Sequence, residues 1–293
     1  LSQTYDGSAK AATATTTPIG LAVSFTYNGS ATIPTSAGSY MVVGTINDAN
    51  YQGSATGTLV IAQAADEVVL GSLNQTYDGT AKTATVTTTP SNLTVTYTYN
   101  GSADAPTNAG SYTVIGTVND VNYQGSATNT LIINKAVLMV TADDKTKICG
   151  MPNPPLTASY SGFVNGENAS VLSLPVILST PATNTSAAGT YPITVGGAAA
   201  ANYTIQYVEG TLQVASTPQL AGANVSVNGT QQYVVSVPTI TGQTYQLEYT
   251  TDLMSQWTPL GTPFAGTDGI VAVTNNIDAT PQCFFRVEVL EVH

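Results

Sequence analysis

The sequence predicts an all-β chain, a linear string of small antiparallel β modules of Ig-like or β-grasp-like type, ending in a β-sandwich. Three observations predict it: a block of sequence recurs at a fixed offset, apolar residues alternate with hydroxylated ones, and no long stretch carries helical periodicity.

The repeat comes first. LSQTYDGSAK at Leu1 returns as LNQTYDGTAK at Leu73, an offset of 77 − 5 = 72 measured at Tyr5 and Tyr77, and 43 of the 62 positions in 1–62 are identical in 73–134. A diverged third copy carries AGTY at Ala188–Tyr191 for AGSY at Ala109–Tyr112, NY at Asn202–Tyr203 for Asn122–Tyr123, and GTLQV at Gly210–Val214 for GTLVI at Gly57–Ile61. From about Gln219 the pattern stops, and Ala215–Pro218 reads as a linker. The modules are therefore 1–65, 66–135, 136–215 and 219–293.

Within each copy the strands follow from period two. Leu21, Val23, Phe25 and Tyr27 alternate with Ala22, Ser24 and Thr26, and Leu93, Val95, Tyr97 and Tyr99 alternate with Thr94, Thr96 and Thr98. Asp6-Gly7, Asn28-Gly29, Asn100-Gly101 and Asn228-Gly229 supply the residues that tolerate positive φ in tight turns. Glu167–Leu172 could form one helical turn. Met41 becomes Thr113 in the second copy, which reads as an exposed position, while Val42/Val114 and Val43/Ile115 stay apolar and read as packed.

Composition narrows the function. The 293 residues are 42% apolar and only 8% charged, with 6 Lys+Arg against 17 Asp+Glu and a formal charge of −11. Such a chain has enough apolar residues for packed cores, unlike a disordered one. Six scattered cations cannot form the basic patch that phosphate binding needs, so neither nucleic acid nor an anionic membrane is an expected partner. No apolar run reaches the roughly 18 to 20 residues that span a bilayer. Leu1 opens no basic-then-hydrophobic leader pattern, which reads as a mature or trimmed chain.

QTYDG(S/T)AK, YNGSA, (S/N)AGSY and NYQGSAT resemble the MBG domains found in tandem in bacterial surface and secreted proteins. The third module, with Lys147-Ile148-Cys149-Gly150-Met151-Pro152-Asn153-Pro154-Pro155-Leu156-Thr157, resembles the related MBG type that opens K-x-YG-x-x-NPPLT, with Cys149 where that family usually has Tyr. The last module, with Tyr245–Gly261 and Phe284–Val287, is similar to C-terminal β-sandwich modules of exported proteins of Gram-negative bacteria. The resemblance implies an extracellular or cell-surface, non-enzymatic, modular protein and names no ligand.

The residues themselves offer little enzymology. The single histidine, His293, excludes His-based triads and multi-His metal sites, and no GxSxG, P-loop or GxGxxG occurs. Asp143 and Asp144 are adjacent and would face opposite sides of a strand. No cofactor is expected. Asp48 with Asn50, and Asp120 with Asn122, place oxygen side chains close together, which suits either calcium or an Asx-stabilised turn. Lys10 and Lys82 hold the same place in both copies, and are read either as solvated strand-end lysines or as partners in an isopeptide bond to Asn. Cys149 and Cys283 are candidates for a disulfide within or between chains, or are two separate buried thiols. The sixteen tyrosines are expected to pack across strands, Trp257 to be the core tryptophan of the last sandwich, and nine Asn-x-Ser/Thr sequons could carry glycans.

One asymmetry remains. Modules 2 and 3 are preceded by strand-like runs, Glu67–Leu70 and Ala136–Val140, whereas nothing precedes Leu1, so the sheet of module 1 is expected to lack an edge strand. The tail from Val287 to His293 is strand-like. Donation of Val287, Val289, Leu290 and Val292 to the edge near Leu1 and Tyr5 of the next subunit would build a head-to-tail filament. The expected function is therefore a repeat-built stalk or filament subunit whose partner is itself. The alternative is an adhesin that binds a cell-surface glycan or protein through its last module.

Overall fold

A computed structural model describes residues 1–217, 219–227, 230–267, 269–276 and 283–290. The regular secondary structure of the described residues is strand, apart from one helical piece, a 3-10 turn, Ala169–Val171, capped by the Asn168 side chain. No helix among them is long and apolar enough to cross a membrane. The chain divides into two compact units. One comprises Leu1–Thr141, Ala158–Ile177 and Val195–Val208, and the other Ala142–Thr157, Leu178–Thr194 and Glu209–His293.

In the first unit, module 1 is a four-stranded sheet in the order Ser2–Thr4, Ser54–Ala62, Gly38–Ile46, Val23–Tyr27. Module 2 repeats it with Asn74–Thr76, Ser126–Asn134, Gly110–Val118 and Val95–Tyr99. The sheets are mixed: Ser2–Thr4 runs parallel to Ser54–Ala62 while the other pairs are antiparallel. A strand that opens a module and one that closes it are separated by most of the module's length, so nothing obliges them to form a hairpin.

Val42 and Val114 are buried, and Met41 is exposed. Ile115, expected to be packed, is 37% exposed, because it neighbours Val114 on one strand and so faces the other side of the sheet. Buried tyrosines carry their hydroxyls to backbone groups: Tyr27 accepts from the Ala12 N–H at 2.8 Å and Tyr99 from the Ala84 N–H at 3.1 Å. Positive φ occurs at Asn28 and Gly29, Asn100 and Gly101, and Gly7, as the turn chemistry requires. Asn228-Gly229 lies outside the described residues.

A three-stranded sheet, Ala158–Ser161, Ala136–Ala142, Tyr203–Val208, brings the opening part of module 3 against module 2. Leu138, Val140 and Tyr203 join Val114, Leu131 and Ile133 in one core.

In the second unit, Lys145–Ile148 runs parallel to Gly210–Ala215 within the rest of module 3. The last module holds two three-stranded sheets, one ordered Ala221–Val227, Thr230–Pro238, Ile270–Asn276 and the other Thr258–Ala265, Thr244–Thr250, Phe284–Leu290. Tyr245, Leu247, Val235 and Val237 form its core together with Ile148 of module 3. Trp257 is not in that core. It is half-buried with the Arg286 guanidinium 4.6 Å above its ring, and Arg286 donates to Glu248 at 2.6 Å. Tyr245, on the central strand, takes the core position expected of Trp257, which precedes an edge strand.

Candidate interaction site

The junctions between modules are built twice to one plan. Strand Ser54–Ala62 of module 1 continues through Gln63 into Ala64–Ala65 and Glu67–Gly71, which pair inside module 2: Ala64 lies beside Tyr123 in parallel, and Glu67–Gly71 is antiparallel to Thr85–Thr89. At the next junction Ser126–Asn134 continues into Ala136–Ala142, with Ala136 beside Tyr203 in parallel. The closing strands of modules 1 and 2 are thus covalently continuous with the first strands of their successors.

Side chains lock the arrangement. Asn122 Oδ1 accepts the Ala37 N–H at 2.9 Å, and Asn202 Oδ1 accepts the Ala109 N–H at 2.9 Å. Tyr5 meets Tyr123 edge to face at 5.4 Å, and Tyr77 meets Tyr203 at 5.6 Å. Each ring pair adds about 1 kcal/mol beyond the apolar area it buries, and each hydrogen bond a similar net amount. The Asn-Tyr dipeptide of one module therefore grips the Tyr and the Ala-Gly loop of the module before it. At the second junction Glu167 also takes part, with its two oxygens accepting from the Tyr77 and Tyr203 hydroxyls. Burial and the carboxylate push Tyr203 up to about 12, and Glu167 holds Tyr77 above its usual range.

Module 1 differs from its near-identical copy along one edge. No described strand pairs with residues 13–17 or 51–52, whose counterparts 85–89 and 123–124 in module 2 pair with Glu67–Gly71 and Ala64–Ala65. Between these edges lies a groove of about 410 Å³, with Val23, Phe25, Val42, Ile46 and Ala55 among its walls. In module 2 the corresponding space holds linker side chains. The fit is close: a Cβ on Gly116 would lie 3.0 Å from Leu70, and one on Gly125 would lie 2.7 Å from the Asp66 carbonyl oxygen and 3.2 Å from Val68. At Gly53, the counterpart of Gly125, the nearest atom is the tip of Ile46 at 3.3 Å. Phe25 lies closer over Gly44 than Tyr97 does over Gly116, so its ring part-fills the groove. Tyr51, the counterpart of Tyr123, is 47% exposed.

The other candidates resolve locally. Asp48 Oδ1 accepts from the Asn50 and Tyr51 N–H groups, and Asp120 Oδ1 from those of Asn122 and Tyr123, which is the geometry of an Asx turn. Lys10 is not a solvated lysine: it is buried and paired with Asp6 at 2.5 Å, and Lys82 pairs with Asp78 in the same way. These partners hold both carboxyls well below the usual range.

Cys149 and Cys283 are free thiols. The Cys149 thiol donates to the Ser186 carbonyl, and burial pushes the Cys283 thiol up. The Cys149 N–H donates to Ala215 as those of Tyr5 and Tyr77 donate to Ala62 and Asn134, so Cys149 stands at the junction tyrosine's place. The module after it offers no Asn-Tyr partner of the repeat type. Ile148 and Met151 pack against the sandwich there instead.

Val287 and Val289 pack on the sandwich core, and Phe284–Leu290 is antiparallel to Thr244–Thr250. Val292 lies outside the described residues. Asp143 and Asp144 do diverge, toward Thr157 and Thr211 respectively.

Sequence reasoning gave no junction role to Asn122, Asn202, Tyr123 or Tyr203, nor to Glu167. The signal available was that NY survives in the diverged third copy although the QGSAT that follows it in the first two does not. The family model of the MBG domain matches residues 1–65 and 66–137, and that of the MBG domain of YGX type matches residues 138–213. No curated protein matches the chain.

Proposed function

We propose, from the premise that this chain belongs to the MBG domain family, that it is a non-enzymatic structural protein of the cell surface or extracellular space, a repeat-built spacer. The observation that carries this reading is the duplicated junction. A covalently continuous strand, an Asn-to-backbone hydrogen bond and an edge-to-face tyrosine pair fix module 1 on module 2 and module 2 on module 3. A flexible string would need none of these, and neighbour-to-neighbour stacking of this kind is how repeat proteins propagate order. Low charge and hydroxyl-rich outer faces suit such a spacer. The finer form of the proposal is end-to-end joining through module 1. Donation of the tail is the costlier route, because Val287 and Val289 would have to leave a core they already share with Tyr245 and Leu247.

Distance distributions between spin labels on modules 1 and 2 test the reading. A narrow distribution that broadens when Asn122 and Tyr123 are both changed to Ala supports a spacer with fixed geometry. A broad distribution in the unchanged chain, or saturable glycan binding by the last module, contradicts it.

A further inference from the structure

The groove of module 1 and its exposed Asn50-Tyr51 pair are two parts of one surface, and module 2 displays the same surface occupied. We infer that this face of module 1 is a docking site for another repeat module of the MBG type, which inserts the strand following its own last strand into the groove. This deepens the spacer reading by naming the partner of its open face.

The register follows from the 72-residue offset. In module 2 the incoming strand has Ala64 beside Tyr123, its N–H donating to Asn122 O at 2.8 Å, and the Asp66 N–H donates to Gln124 O at 2.9 Å. Farther on, Val68 lies opposite Thr88 and Leu70 opposite Val86. Transferred to module 1, the strand would pair in parallel with Tyr51-Gln52 and antiparallel with residues 13–17. Residues equivalent to Val68 and Leu70 would then enter the groove beside Gly53 and Gly44. The backbone carbonyls at Asn50 and Gln52, with the unpaired edge at 13–17, supply the ladder, and the alternate apolar side chains supply the selectivity, as in other strand additions. The module carrying the strand would present its junction tyrosine to Tyr51 and its Ala-Gly loop N–H to Asn50, as module 1 does to Tyr123 and Asn122.

The choice of occupant rests on chemistry. Glycine at position 53 leaves room for a backbone to pass, since at the occupied copy a Cβ on Gly125 would sit 2.7 Å from the Asp66 carbonyl oxygen. A globular partner or a glycan has no use for such a closely fitted backbone channel.

The test uses the full chain and a labelled peptide of sequence AADEVVLG, copied from Ala64–Gly71. Saturable binding seen by fluorescence anisotropy is expected, with slower hydrogen exchange at residues 13–17 and 51–53. Gly53→Ala should fold as the parent does yet weaken binding about tenfold or more, and a peptide with Val68→Asp and Leu70→Asp should not bind. Absence of binding, binding unaffected by Gly53→Ala, or protection elsewhere on the chain would overturn the inference. So would stronger binding by a peptide of residues 287–293, which would restore the tail as donor. None of these outcomes bears on the Asn122 and Tyr123 distance test, so the spacer reading can stand if the inference fails.

Discussion

Tyr77 and Tyr203 lie edge to face at 5.6 Å and donate their hydroxyls to the two oxygens of one carboxylate, Glu167. The clamp joins two modules through three side chains separated by 90 and 36 residues in sequence. Its geometry sets a pH limit. Both phenols are held above the ordinary tyrosine value of 10.0, and Tyr203 is pushed up to about 12. A raised acid contributes stability that is complete below its unfolded value and is lost as pH rises through its folded one. The junction should therefore hold to about pH 10 and weaken toward pH 12. Chemical denaturation across that window, followed by tyrosinate absorbance, should show the loss, and Glu167→Gln should flatten it.

Asp66 presents a second, opposite case. Both of its carboxylate oxygens are buried without a hydrogen-bond partner among the described residues. The matching position of the next linker strand, counted from Ala64 beside Tyr123 and Ala136 beside Tyr203, is Leu138, which is fully buried. Asp66→Leu should raise stability by about 1 to 3 kcal/mol, because an unsatisfied polar group gives way to a fitted apolar one. A urea midpoint that does not move, or falls, would count against that packing.

The two glycines at equivalent places should respond differently. Gly125→Ala drives a methyl into the Asp66 carbonyl and should cost about 1 to 3 kcal/mol, the usual range for overpacking. Gly53→Ala meets only the tip of Ile46 and should stay within about 0.5 kcal/mol of the parent. Equal effects would mean that the two copies have the same edge.

Asn122 and Asn50 offer a similar contrast. Asn122→Ala removes the acceptor of the Ala37 N–H and should cost about 1 kcal/mol. Asn50→Ala, at an exposed side chain in the copy of the same sequence, should change nothing measurable by thermal melting.

Much of the fold was legible because period two and the repeat act within a short stretch of chain. The alternation Val23, Phe25, Tyr27 and the Asn-Gly turns marked strands and hairpins directly, and the 3-10 turn fell within Glu167–Leu172. What alternation cannot say is against what a strand packs. Val287 and Val289 read as a free strand but lie on their own sandwich, and Ile115 read as core because apolar character alone does not give the face. Lys10 read as solvated because its pairing with Asp6 depends on the turn that brings residues four apart together. The junction residues were hidden for a different reason. Asn122 acts 85 residues away on Ala37, and its local Asx turn is what a single sequence displays. Cys149 was visible as a departure, but its meaning depended on the module after it, which lacks the repeat's Asn-Tyr.

The central claim is that two nearly identical modules differ in whether a strand fills one groove. Native-state hydrogen exchange on the unmodified full chain tests it most directly. Residues Thr85–Thr89 and Gln124 should exchange far more slowly than Thr13–Thr17 and Gln52, their counterparts 72 positions earlier. Equal protection in the two modules would contradict the account.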